Sequence, residues 1–178
     1  MISVEEFCSM ELPCKRAELH DGTVHLRPSD GHFSNRVEYR FVSLFADHCR
    51  ARMDLEFARG SDAFLLQRDP DLLLSPNASL FRLSKVQNAG RWLVGAPDIA
   101  VEVLSPSNGR TAILYKIRKY FAAGGAQVWI ADPVAKTLEI YFWDQRHLVA
   151  KEDAVVTAEA PIEGLRVDLA AVFAQTRL

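Results

Sequence analysis

Apolar side chains recur along this chain with two different periods, and the switches between them divide it into elements. Over residues 16–27, RAELHDGTVHLR alternates about Asp21-Gly22, a dipeptide suited to the tight turn of a β-hairpin. Ahead of it, residues 2–9 read as a short helix with Ser3 as N-cap and Glu5 and Glu6 in its first turn. From 34 to 52 the apolar step lengthens to three and four, through Val37, Phe41, Leu44, Phe45 and His48, which predicts a long helix. Short strands are predicted at 53–58 and 63–67, around Gly60-Ser61-Asp62, and at 71–75, between Pro70 and Pro76. Residues 77–95 read as a loop-rich, mixed stretch. An apolar strand follows at 98–104. Residues 111–123 place Ile113, Ile117, Tyr120 and Phe121 on one helical stripe, which Gly124-Gly125 ends. A hairpin spans 127–131 and 137–143 across Asp132-Pro133, and the tail closes with a strand or turn and a short helix. The pattern predicts an α/β (α+β) fold in a single domain, residues 1–178, built round one sheet.

Composition narrows the function classes. With 178 residues, 49% of them apolar, the chain can bury a core for one domain. A net charge of −2 leaves no global basic field, so a nucleic-acid partner needs a local patch. Cys8, Cys14 and Cys49 form no C-x-x-C pair, and the acidic N-terminus has no apolar signal-peptide core. Reduced thiols and a cytoplasmic location are therefore expected, and no membrane partner, since no apolar run nears the ~18 residues of a span.

The chemistry concentrates in GAPDIAVEVLSPS, residues 95–107. Strand side chains alternate faces, so Asp98, Ala100 and Glu102 share one side of a strand that otherwise reads as core. An acid in such a strand is costly unless it is paired or bound to a metal. The order acid-bearing strand, acid-bearing strand, lysine-bearing helix suggests a divalent-metal nuclease. Asp71 and Glu102 would supply the carboxylates for Mg²⁺, with Mn²⁺ as a substitute, and Asp98 would be a further ligand. The ion would polarise a scissile phosphate and activate water, and a lysine would stabilise the developing charge. Plainer readings stand beside these. Asp71 could end a turn, Glu102 could pair with an arginine, Asp98 could cap the strand, and Lys116 could be a solvated helix residue.

Several segments, in order, carry a resemblance. AELHDGTVHLRPS, with Glu18 and Gly22, is similar to an "E-L-x-D-G-x" hairpin, although Glu18 on its own reads as structural. His32 stands where a histidine opens the first long helix; RDPDLLLS resembles a "P-D-V" strand. APDIAVEVLSPSN, YKIRKYFAAGGAQVWIADP and PIEGLRVDL complete the set. Together they resemble the PD-(D/E)xK nuclease superfamily and, within it, the bacterial restriction-endonuclease family of the Uma type. The resemblance implies a restriction-endonuclease-like core, a mixed central sheet flanked by helices with an N-terminal β-hairpin. It implies a Mg²⁺-dependent DNA endonuclease in which Asp71, Glu102 and Lys116 are catalytic. A homodimer would suit a double-strand cut. His32, Glu38 and Lys119 are additional candidates. Two departures matter. The superfamily's lysine slot holds Leu104, so the ammonium must come from the following helix, where Lys116 matches the family's position. Tyr115 and Ala112 replace acids common in that helix. A nuclease-fold module that binds nucleic acid or a partner without catalysis is the alternative. A hydrolase of small phosphoesters is disfavoured by Arg68, Arg82, Lys85, Arg91, Arg110, Lys116, Arg118 and Lys119, which border the acids and suit an extended polyanion.

Overall fold

A computed structural model describes residues 1–12, 16–27, 31–105 and 109–174. Helix α1 (Val4–Ser9) starts at a capping box: the Ser3 hydroxyl accepts from the Glu6 amide, and the Glu6 carboxylate accepts from Ser3 N. The hairpin of β1 (Ala17–His20) and β2 (Thr23–Leu26) turns at Asp21 and Gly22, with φ of 49° and 76°. Two positive φ values are what the twist-matched hairpin turn requires. Gly22 is needed for space as well, since a Cβ there would stand 2.7 Å from that of Met1. The long helix α2 (His32–Cys49) buries Val37, Phe41 and Phe45 completely.

Strands β3 (Leu55–Arg59), β4 (Phe64–Gln67) and β5 (Leu72–Leu74) fall close to the pattern read from sequence. The stretch 77–95 does not, because it holds β6 (Ala78–Arg82), β7 (Gln87–Asn88) and β8 (Leu93–Val94). Four of the five β6 residues are buried, on both faces, so β6 has no alternation to betray it. After β9 (Ile99–Val103) come α3 (Arg110–Ala122), β10 (Gln127–Asp132), β11 (Thr137–Phe142), β12 (His147–Lys151), β13 (Val155–Thr157), β14 (Arg166–Asp168) and α4 (Leu169–Phe173).

The strands form two six-stranded sheets where one was expected. The first runs β12-β11-β10-β9-β6-β3; β10 and β9 are parallel, joined across α3, and the other neighbours are antiparallel. The second runs β2-β1-β5-β4-β8-β7, and β13 pairs with β14 alone. Helix α2 covers one face of the first sheet, packing Val37, Phe41 and Phe45 with Ile99, Val101, Val103 and Trp129. Helix α3 covers the other face and reaches the second sheet: Ile113, Ile117 and Tyr120 pack with Ala100, Val128 and Ile130 and also with Leu72 and Leu74 of β5. Residues 100 and 102 of β9 therefore look toward α3, and residues 99, 101 and 103 toward α2. That is the two-fold alternation expected of DIAVEVL.

Candidate active site

Where α3 bridges the two sheets, it carries polar groups into a dry seam. Glu102, in the middle of β9, is fully buried. Lys116 and Tyr120, one helical turn apart on α3, both point at it. The Lys116 ammonium lies 3.1 Å from each Glu102 oxygen, and the Tyr120 hydroxyl donates to Glu102 Oε1 at 2.9 Å. From the opposite side Glu18, on β1, accepts from Lys116 Nζ at 2.8 Å. Its Oε1 also accepts from the Ser75 amide (3.0 Å) and from Arg27 Nη1 (3.3 Å), and its Oε2 lies 3.0 Å from His20 Nε2. Arg27 Nη2 completes the cluster 3.9 Å from Glu102 Oε2.

Two carboxylates thus face two cations, with side-chain exposures of only 2% and 1% for Glu18 and Glu102 and 8% for Lys116. Burial pushes the Glu18 carboxyl up, but Lys116, His20 and Arg27 outweigh it and hold the group well below the ordinary carboxylate range. Burial, followed by the charges of Glu102 and Glu18, holds the Tyr120 phenol well above 10. Tyr120 is therefore a permanent donor to Glu102. The arrangement is a mutually neutralised set of charges whose carboxylate oxygens converge on one point, the Lys116 nitrogen.

Glu102 and Lys116 meet as the sequence suggested; the other candidate acids do not join them. Asp71 opens β5, which pairs with β1 and β4 in the second sheet and not with β9. Its carboxylate accepts from the Val4 amide at 2.7 Å and from Arg68 Nη1 at 3.1 Å, so it holds the start of α1 against the hairpin turn. The strand beside β9 is β6. Its register runs Ala78↔Val101, and one step further brings Asn77 level with Glu102. Asn77 is fully buried, accepts from the Val103 amide at 2.9 Å and donates to Glu38 Oε2 at 2.7 Å. The residue level with Glu102 is thus an amide turned toward α2, not an acid.

Asp98 is fully buried but occupied. Oδ1 accepts from Arg82 Nη2 and Lys85 Nζ, each at 2.9 Å, and Oδ2 from the Arg82 amide and Nε. Burial raises its pKa, and the Arg82 and Lys85 donors more than reverse that. It clamps β6 to the start of β9. Glu38 is paired with Arg16 as well as Asn77. His32 is exposed at the start of α2 with its ring against Phe33. Lys119 pairs with Asp21 at 2.7 Å. Leu104 packs in the apolar cluster of α3, on the face of Glu102 as the two-residue period requires. Of the bordering basic residues, Arg68, Arg82 and Lys85 neutralise Asp71 and Asp98.

The sequence underrated Glu18 and did not single out Arg27, His20 or Tyr120 for polar roles. Tyr120 sat in an apolar stripe, where its hydroxyl was silent; its spacing of four from Lys116 was the available signal. Arg27 follows the hairpin and has no local motif, because its partners arrive from other elements.

A divalent ion can be weighed against these residues. Three carboxylate oxygens, one of Glu18 and two of Glu102, lie within 3.1 Å of one point. Mg²⁺ needs only one or two carboxylates, with water filling the rest of its shell. The donor set fits, on the condition that Lys116 Nζ vacates that point. Among the described residues there is no group of three or more His, Cys, Asp or Glu side chains placed to hold a metal.

A family model, Uma2, described as "Putative restriction endonuclease", matches residues 4–170. A crystal structure from Anabaena variabilis ATCC 29413, described as "a putative nuclease belonging to DUF820", superposes with a TM-score of 0.80. The match covers 99% of this chain and 100% of that one at 18% sequence identity, a likeness of fold. No curated protein matches the chain. Among the described residues no helix is long and apolar enough to cross a membrane. Because the family model spans nearly the whole sequence, the chain belongs to the Uma2 restriction-endonuclease family.

Proposed function

We propose that this protein is a Mg²⁺-dependent endonuclease that hydrolyses phosphodiester bonds in DNA, with Glu18, Glu102 and Lys116 as its working site. The observation that carries the reading is the convergence of two buried carboxylates, from different sheets, on the single ammonium of Lys116. Family membership supports the reaction class. Glu18 and Glu102 would hold the ion, which when bound supplies a Lewis acid and a water of lowered pKa. The chain's own groups do the rest. The Tyr120 hydroxyl fixes the rotamer of Glu102. Arg27 keeps Glu18 charged when Lys116 turns away. Lys116, freed from the carboxylates, places its ammonium against the negative charge that develops on the phosphate. The test is plasmid cleavage in Mg²⁺ or Mn²⁺ by the wild type and by Glu102→Gln, with folding checked by circular dichroism. Nicking by the wild type alone supports the proposal; equal metal-dependent cleavage by both overturns it.

One observation favours a second reading, a nuclease-fold module that binds nucleic acid without cutting it. The residue level with Glu102 is the neutral Asn77, and the four charges of the site already cancel. On that reading DNA binds with a salt-dependent affinity and no divalent ion produces cleavage.

A further inference from the structure

Beside the site, three aromatic rings form a column that neither the core nor the proposed hydrolysis uses. His20 and His25, on the two strands of the hairpin, stack with ring centroids 4.2 Å apart and planes 19° apart. The other contact of His20 is with Tyr115 of α3, at 5.0 Å and 15°. His20 is therefore the middle ring, and the three planes are nearly parallel. The inner end is held rigidly. The Tyr115 hydroxyl donates to Asp21 Oδ2 at 2.9 Å, Lys119 donates to Asp21 Oδ1 at 2.7 Å, and its ammonium stands 5.4 Å from the Tyr115 ring centre. The middle ring is held by Glu18 of the site. The outer ring, His25, is exposed.

We propose that this column is a nucleobase-binding step, on which an unpaired base of the nucleic acid stacks against the outer face of His25 as the fourth ring. This rests on the reading that the chain acts on nucleic acid, and it adds the class of substrate: DNA with an unpaired base near the cut, rather than a continuous duplex. Two arguments support it. Base stacking on aromatic side chains needs a pre-formed, immobile π-face, and the column supplies one, because its two inner rings are fixed by hydrogen bonds. The column is also continuous with the site: the ring that contacts His25 is bonded to Glu18, whose carboxylate meets Lys116, so a stacked base would bring its own backbone phosphate toward the Lys116 and Arg27 cations. A base inside a duplex cannot offer a free face to His25 without being unstacked first.

The test uses the full chain in EDTA, so that binding is read without cleavage. The probes are a single-stranded oligonucleotide carrying 2-aminopurine, whose fluorescence is quenched by stacking, and a blunt duplex of the same sequence. Wild type, His25→Ala and His25→Phe are compared by anisotropy and by quenching, with folding checked by circular dichroism. Stacking predicts tighter binding and quenching with the single strand, a loss of about 5- to 100-fold in affinity for His25→Ala, and retention of both by His25→Phe. Unchanged affinity and quenching in His25→Ala overturn the stacking step while leaving the nuclease reading intact. Failure of the wild type to bind any DNA overturns both.

Discussion

Replacing Lys116 by Met tests the electrostatic logic of the site without reference to catalysis. The substitution keeps the aliphatic stem and removes the ammonium. It leaves Glu18 and Glu102, both almost inaccessible, facing the Arg27 guanidinium at 3.3 and 3.9 Å, with the His20 ring 3.0 Å from Glu18. Breaking a buried ion pair by deleting one partner costs about 3–5 kcal/mol. Arg27 remains, so the lower end applies, ~3 kcal/mol near pH 7.5. For a chain of this length that is a fall of about 6–12 °C in Tm. The penalty also has a pH signature. In the wild type Glu18 titrates below its unfolded value of about 4.3, so its stabilisation is present above that pH and lost in stronger acid. In Lys116→Met the carboxylate pair relieves its charge by taking up a proton, which gives a folded pKa above 4.3. Stability of the variant then falls as pH rises, by ~1.4 kcal/mol per unit, until the folded pKa is passed. The gap between the proteins should be ~3 kcal/mol at pH 7.5 and close to ~1 kcal/mol at pH 5. Urea unfolding of both proteins at the two pH values measures it. A gap under ~0.5 kcal/mol at pH 7.5, or one that widens on acidification, would refute the reasoning.

Other substitutions probe separate parts of the account. Tyr120→Phe removes the buried donor to Glu102 and should cost about 1–3 kcal/mol by urea unfolding; in the wild type, alkaline difference spectra should show this phenol still un-ionised where a free tyrosine ionises, while the fold lasts. Asp98→Ala strands Arg82 and Lys85, but both are partly exposed, so the expected loss is about 2 kcal/mol. Because the Asp98 pKa is depressed, that loss should be full above about pH 4 and shrink below it. Asn77→Asp puts a carboxylate against Glu38 and level with Glu102, so the metal-free variant should be less stable by about 1–3 kcal/mol. Because the side chain at 77 is turned toward α2, Mn²⁺ should raise the Tm of this variant no more than that of the wild type; a larger rise would show that position 77 reaches the carboxylate seat.

Local chemistry was legible in the sequence, and long-range pairing was not. The Ser3 cap, the Asp21-Gly22 turn, the α2 stripe and the facing of Glu102 depend on residues a few positions apart, and all are found. Lys116 was reached through the family resemblance alone; the structure sets it on the face of α3 that also buries Ile113, Ile117 and Tyr120. The distance between the acid of RDPDLLLS and Glu102 was not legible. Spacing along a chain does not say which of two successive strands will lie against β9, and here β5 joined the second sheet while β6 took the place beside Glu102. β6 itself was hidden by its burial on both faces and by Pro76-Asn77 before it. Glu18 looked like an ordinary hairpin acid because Lys116, its main partner, is 98 residues away.

The most direct measurement compares single-turnover DNA cleavage, in Mg²⁺ and Mn²⁺, by four carboxamide variants at a temperature where all are folded. Glu18→Gln and Glu102→Gln alter the seam beneath α3, while Asp71→Asn and Asp98→Asn alter acids that hold α1 and β6. The account predicts that the first two abolish cleavage and that the second two keep rates within a few-fold of wild type. Loss of cleavage in Asp71→Asn or Asp98→Asn, with activity surviving in Glu18→Gln and Glu102→Gln, would contradict it.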